Sequence, residues 1–131
     1  MKPNELMIGD WLQYKGQYNA FTFRVEQITK RKVGYHAEPG ECRIHYLRLC
    51  ECQPILLTTE ILEKNGFEIH EGEMEMYGVT TSPYYVIEGS PYIFCDGDSF
   101  SVRFEDEVNI KYVHELQHIL RLCGIEKKIV P

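Results

Sequence analysis

Leu57-Thr58-Thr59-Glu60-Ile61-Leu62-Glu63-Lys64-Asn65-Gly66-Phe67 is the stretch whose reading decides the fold. Thr58 is an N-cap residue: its side-chain oxygen can accept from a free N–H of a first helical turn. Glu60 falls in that turn, where the helix dipole favours an anion. Leu57 and Leu62 have the spacing of a hydrophobic staple. Asn65-Gly66 ends the helix, and Phe67 is placed to fold back onto Leu62 as in a Schellman motif. Each device stabilises by about 0.5–1 kcal/mol, and together they predict a short helix without help from the rest of the chain. That helix divides the sequence into two parts.

Before it, residues 1–57 read as short strands. Phe21, Phe23 and Val25 alternate with Thr22, Arg24 and Glu26, the period of a half-buried strand. Asp10 to Tyr14, Val33 to His36 and Cys42 to Cys52 are further strand candidates, separated by Lys15-Gly16, Lys30-Arg31-Lys32 and Pro39-Gly40. Several short strands with basic turns suggest a small bent sheet or an SH3-like barrel.

After it, residues 58–131 read as an antiparallel meander closed by a helix. Phe67 to His70 and Met74 to Val79 are strand candidates, and Tyr84 to Glu88 and Tyr92 to Cys95 flank the turn signal Gly89-Ser90-Pro91. Phe100, Val102 and Phe104 alternate with Ser101, Arg103 and Glu105. A helix is predicted from about Asn109 to Leu122, stopped by Gly124. The expected fold is a single α+β domain over residues 1–131: a β-rich half, a middle helix, a meander and a C-terminal amphipathic helix.

Composition bounds the function. The 131 residues are 44% hydrophobic and 26% charged, which excludes a disordered chain. A chain of this size buries roughly two-thirds of its unfolded surface and folds without staples. No apolar run approaches the roughly 18 residues that a membrane span needs. Met1-Lys2-Pro3-Asn4-Glu5 leads into no apolar h-region, so no signal peptide is expected, and the expected compartment is the cytoplasm. Five cysteines, an odd count, point to free thiols. The net charge of −6 argues against generic nucleic-acid binding. The charge is uneven: residues 58–131 hold fourteen Asp/Glu against six Lys/Arg, whereas residues 1–57 hold six against eight.

His114-Glu115-Leu116-Gln117-His118 is the one motif with the look of an enzyme. On a helix, two histidines four apart share a face and can chelate Zn²⁺, while the glutamate activates a bound water. Catalytic zinc wants a third protein ligand. The metzincin extension would need Gly at 121 and His at 124, where this chain has Arg121 and Gly124. At about 100° per residue, Tyr112, Val113, Leu116, Ile119, Leu120 and Cys123 cluster on one side of the helix, with His114 and His118 close to the opposite side. The expectation is two solvated histidines, with no metal and no catalytic residue. The alternative is a zinc-dependent hydrolase with His114 and His118 as ligands and Glu115 as base.

Other constellations are weaker. His36, Cys42, His45, Cys50 and Cys52 are possible zinc ligands without paired-knuckle spacing, and Cys50 and Cys52 read as same-face core residues of a strand. Asp96-Gly97-Asp98 opens like a calcium loop but continues with Phe100 and Ser101, so a plain turn is expected. Glu68, Glu71, Glu73 and Glu75 form an acidic stretch suited to a basic partner or to guarding a sheet edge. Arg24, Lys30, Arg31 and Lys32 are the matching basic set, a weak alternative for phosphate contact.

Three landmarks carry a resemblance: Met1-Lys2-Pro3-Asn4-Glu5-Leu6 with Ile8-Gly9-Asp10-Trp11; Gln53-Pro54-Ile55-Leu56-Leu57-Thr58 leading into Glu60-Ile61-Leu62 and Gly66-Phe67-Glu68; and Lys111-Tyr112-Val113-His114-Glu115-Leu116-Gln117. In this order they resemble a family of small proteins of unassigned activity from prophage-like and other mobile-element regions of gut bacteria. The resemblance implies a compact accessory protein and brings no catalytic residues. Together, these readings predict a non-enzymatic module that binds another protein through Glu68, Glu71, Glu73 and Glu75, without cofactor and outside the membrane. They leave the partner and the oligomeric state open.

Overall fold

The computed structural model describes residues 1–16, 19–70, 83–103 and 107–131. Among them are eleven strands and two α-helices in an α+β arrangement. The chain forms two compact units, Met1–Ile55 with Tyr112–His118 and Pro131, and Leu56–Lys111 with Ile119–Val130.

In the first unit, the strands are β1 (Trp11–Lys15), β2 (Ala20–Arg24), β3 (Gln27–Ile28), β4 (Lys32–Tyr35), β5 (His45–Arg48) and β6 (Cys52–Pro54). They make two three-stranded antiparallel ladders, β2-β1-β6 and β3-β4-β5. The predicted alternation in β2 holds: Phe23 is buried, while Thr22 and Arg24 are exposed. Leu12, Phe23, Val25, Val33 and Cys52 form the core with Leu6 and Leu49. Burial of this set is the main stabilising term, at about 1.5–3 kcal/mol per large apolar side chain.

One strand prediction fails here. Cys42 to Cys52 is not continuous, because a 3₁₀ turn at Leu49–Glu51 separates β5 from β6. The turn sinks Leu49 into the core and is braced by Arg48 donating to Glu51 Oε1 at 2.6 Å. Cys50 is therefore exposed while Cys52 is buried, so the two are not paired core residues.

In the second unit, α1 (Thr59–Lys64) is capped as predicted: Thr58 Oγ1 accepts from Ile61 N at 3.3 Å. At its end, Phe67 N donates to Leu62 O at 3.0 Å across Gly66. Gly66 has φ +85°, a region that favours glycine. The meander follows as β7 (Glu68–His70), β8 (Tyr84–Val86), β9 (Ile93–Asp96), β10 (Ser99–Arg103) and β11 (Glu107–Ile110), paired in sequence order. Tyr85, Ile93, Phe100, Val102 and Ile110 are its buried residues. The strand expected at Met74–Val79 lies outside the described residues.

The last helix, α2, is Val113–Leu122, not Asn109–Leu122. Asn109 and Ile110 instead pair with Ser101 and Phe100, which satisfies their backbone in the sheet and buries Ile110. Val113, Leu116, Ile119 and Leu120 are buried as the periodicity predicts, whereas Cys123 is exposed.

Candidate functional site

The polar side chains of the H-E-x-x-H segment meet the N-terminal segment within the first unit. That segment makes a tight turn at Met7–Asp10. Met7 N donates to Asp10 Oδ2 at 2.8 Å, and Asp10 N donates to Met7 O at 3.1 Å. Gly9 sits at φ 97°, which lets its N–H reach Val25 O at 2.7 Å. Asp10 is left with no exposed surface.

The segment then engages this turn residue by residue. His118 Nε2 lies 2.7 Å from Asp10 Oδ2. Gln117 Oε1 accepts from Trp11 N at 2.9 Å, and Gln117 Nε2 donates to Gly9 O at 2.9 Å, so one amide clamps two backbone groups. Glu115 Oε1 accepts from Tyr112 N at 2.9 Å, capping the start of its own helix. The His114 ring stacks on Tyr112 with centroids 5.7 Å apart and stands edge-on to His118 at 5.5 Å.

The expectation of solvated histidines is therefore wrong. His114 is 7% exposed, and His118 shares a hydrogen bond with a buried carboxylate. The helical wheel placed both rings opposite the apolar stripe correctly, but the N-terminal turn covers that side. A signal was present: from Tyr112 to Leu120 only Glu115 carries a formal charge, and a fully solvated helix face usually carries more. Sequence reasoning also missed Asp10 and Gln117, which have no motif spacing to mark them.

Burial pushes the His114 imidazole below its ordinary value, and His118 pushes the same way, while Asp10, Glu115 and Glu5 oppose. Two buried atoms of this cluster, Asp10 Oδ1 and His114 Nδ1, make no hydrogen bond. An open depression of about 710 Å³ adjoins the rings, lined also by Glu5, Pro54 and Tyr112, and none of its lining residues is Ser, Thr or Cys. Chemically, an Asp–His pair can orient an imidazole for proton transfer. Among the described residues, however, no group of three or more His, Cys, Asp or Glu is arranged to hold a metal ion.

The other candidates fall apart in space or stay solvated. His36 Nδ1 bonds Arg43 O and His45 Nε2 bonds Glu41 Oε1, each at 3.1 Å, while Cys42 and Cys50 are exposed. Asp96 and Asp98 are exposed at the β9–β10 turn. Lys30, Arg31 and Lys32 are exposed at the tip of the β3–β4 hairpin, and exposed Arg24 ends β2 in the other ladder. Glu68 is exposed on β7, while Glu71, Glu73 and Glu75 lie outside the described residues.

The second unit carries an aromatic feature that the sequence reading did not single out. Pairing sets His70 opposite Tyr84 and Tyr84 opposite Phe94. Their Cβ atoms therefore share the sheet face opposite Tyr85 and Ile93. His70 stacks on Tyr84 at 5.2 Å, and Tyr84 stacks on Tyr92 at 4.4 Å. Arg103 lies over the Phe94 ring at 5.0 Å, a cation–π contact.

Fold and site together define a small α+β protein with a polar lock in one unit and an aromatic sheet face in the other. Comparison with protein-family models, curated proteins and solved structures finds no match to the chain. No helix among the described residues is long and apolar enough to cross a membrane.

Proposed function

We propose that this chain is a non-enzymatic protein-binding module, a cytoplasmic accessory protein of a mobile element, and that it takes a basic segment of another protein on its acidic half. The observation that carries this reading is the employment of the catalytic-looking motif. Glu115 caps a helix, Gln117 clamps two backbone groups and His118 holds Asp10, so each is bound to structure. A histidine ligand can keep a carboxylate on its other ring nitrogen, but a catalytic base must reach substrate, and Glu115 is held on Tyr112 N. On the binding side, exposed Glu68 stands on the same strand as His70 of the ring stack, and the chain from residue 58 onward carries fourteen acidic against six basic residues. Opposite charge steers an encounter, and exposed aromatics supply contact area.

The test is fluorescence anisotropy with a labelled arginine- and lysine-rich dodecapeptide, at about 150 mM salt, where exposed charges are largely screened. Saturable binding, absent with a peptide of inverted charge, supports the reading. No binding, or equal binding of both peptides, overturns it.

A second reading draws on one observation. Two imidazoles stand 5.5 Å apart beside a buried carboxylate, which suits a zinc-dependent hydrolase using His114, His118 and Glu115. It requires a further ligand beside the two imidazoles and requires Glu115 to release Tyr112. Metal analysis of untagged protein decides it: stoichiometric zinc, lost in His118→Asn, would establish the site.

A further inference from the structure

We infer that the open face of the five-stranded sheet contains a receptor for a single arginine side chain of the partner. This rests on the reading above, that a basic segment docks on the acidic half, and it names where and how the segment is held.

A depression of about 610 Å³ opens between the start of β7 and the β8–β9 turn, lined among others by Glu68, His70, Tyr84, Glu88, Ser90 and Tyr92. Three of these are the ring stack. Tyr84 is the middle ring, nearly parallel to His70 at 10° and to Tyr92 at 23°. The outer rings face solvent, with Tyr92 52% exposed. A stack with an uncovered end accepts one more flat group, and its π-faces favour a cation.

Charge selects which flat group. Among the described residues, Glu68 and Glu88 are the only formal charges lining the depression; both are exposed, and neither forms an ion pair with another described residue. Two carboxylates beside aromatic faces repel a phosphate and attract a cation. A guanidinium fits both features at once: it is planar, it stacks, and its N–H fork matches a carboxylate. The same sheet face already shows the chemistry internally, in Arg103 over Phe94.

The experiment is an NMR titration of the full chain with N-acetyl-arginine amide, against its neutral isostere N-acetyl-citrulline amide. The arginine compound is expected to shift the Tyr84 and Tyr92 ring signals and the β8–β9 turn amides, saturating at millimolar concentration, while the citrulline compound leaves them in place. Tyr92→Ala and the pair Glu68→Gln with Glu88→Gln should each weaken the response at least fivefold. These residues are surface-exposed, so an otherwise unchanged spectrum certifies the fold. Equal shifts from both compounds, no shifts, or shifts confined to other acidic positions such as Asp96 and Asp98 would overturn the inference. The basic dodecapeptide separates the two claims. If it binds wild type and variants alike, the receptor is wrong while the broader reading stands; if it does not bind wild type, the broader reading is wrong.

Discussion

His118 Nε2 lies 2.7 Å from Asp10 Oδ2, joining two residues 108 apart in sequence across the first unit. The acid is wholly buried and the imidazole is partly exposed. Such a pair is costly to break from either side, because the group left behind is a buried polar atom without its partner. His118→Ala should destabilise by about 1.5–3 kcal/mol, since the buried carboxylate keeps the Met7 N–H but loses the imidazole. Asp10→Ala should cost about 2–3 kcal/mol, since the remaining imidazole can reach water. The double variant should cost less than the sum, with a coupling of about 1–3 kcal/mol in urea denaturation. Strict additivity would mean that the contact contributes nothing.

Gln117 makes a separate prediction. Its amide serves Trp11 N and Gly9 O, backbone groups at the start of β1. Gln117→Leu keeps the bulk and removes both bonds, at a cost of about 1–3 kcal/mol. Gln117→Glu keeps the acceptor for Trp11 and loses the donor for Gly9, so it should fall between. Hydrogen exchange at the Trp11 amide is the direct readout, fast in Gln117→Leu and near wild type in Gln117→Glu.

What was legible in the sequence was local. Thr58, Gly66 and Phe67 announce α1 because capping is decided within one turn of chain. The alternation at Phe21–Glu26 and the Gly89-Ser90-Pro91 turn are likewise local, and the strands there formed. The failures are at junctions and at long range. Asn109 and Ile110 join β11 because β10 is beside them, and no glycine or proline marks that boundary with α2. That His114 and His118 lie off the apolar stripe was readable, but what covers them was not. Covering them takes Asp10, and nothing in a helical wheel points to residue 10. The ring stack went unread for the same reason, since His70, Tyr84 and Tyr92 meet only through strand register.

The buried imidazole sets a pH dependence. Burial, reinforced by His118, holds His114 below its ordinary 6.5, against the opposing pull of Asp10, Glu115 and Glu5. Below 6.5 the unfolded chain takes up a proton at this position before the folded chain does, so stability falls as pH falls. The contribution is complete above 6.5 and is lost on the way down to the folded value, with a slope of at most about 1.4 kcal/mol per pH unit. Urea midpoints between pH 7.5 and 5.5 should drop for wild type and drop less for His114→Gln. Equal slopes would assign the acid sensitivity to another group.

Asn65 ties the C-terminal tail to α1 within the second unit. Its Nδ2 donates to Ile61 O at 2.7 Å and to Val130 O at 2.8 Å, and its Oδ1 accepts from Val130 N at 2.8 Å. Ile129, beside it, is 1% exposed. Asn65→Ala should therefore cost about 2–3 kcal/mol, three neutral bonds at about 1 kcal/mol each. It should also expose the tail after Lys127 and Lys128 to trypsin. Limited proteolysis followed by mass spectrometry checks this; an intact tail in the variant would show that Ile129 packing alone retains it.

The five thiols should react in an order set by burial. Cys52 is held up to about 11 from an ordinary 9.0, by burial first and then by Glu51 and Cys50. Two pH units mean about a hundredfold less thiolate, which is the reacting form. Cys95 is also raised, by burial and by Asp96 and Asp98, and it is only half-buried. Cys42, Cys50 and Cys123 are exposed. Iodoacetamide at pH 8 should label those three first, Cys95 more slowly, and Cys52 only with unfolding, as peptide mapping over time would show. Since Cys52 pairs with Tyr14 through β6 and β1, early labelling there would mean that this ladder opens well below the global unfolding free energy.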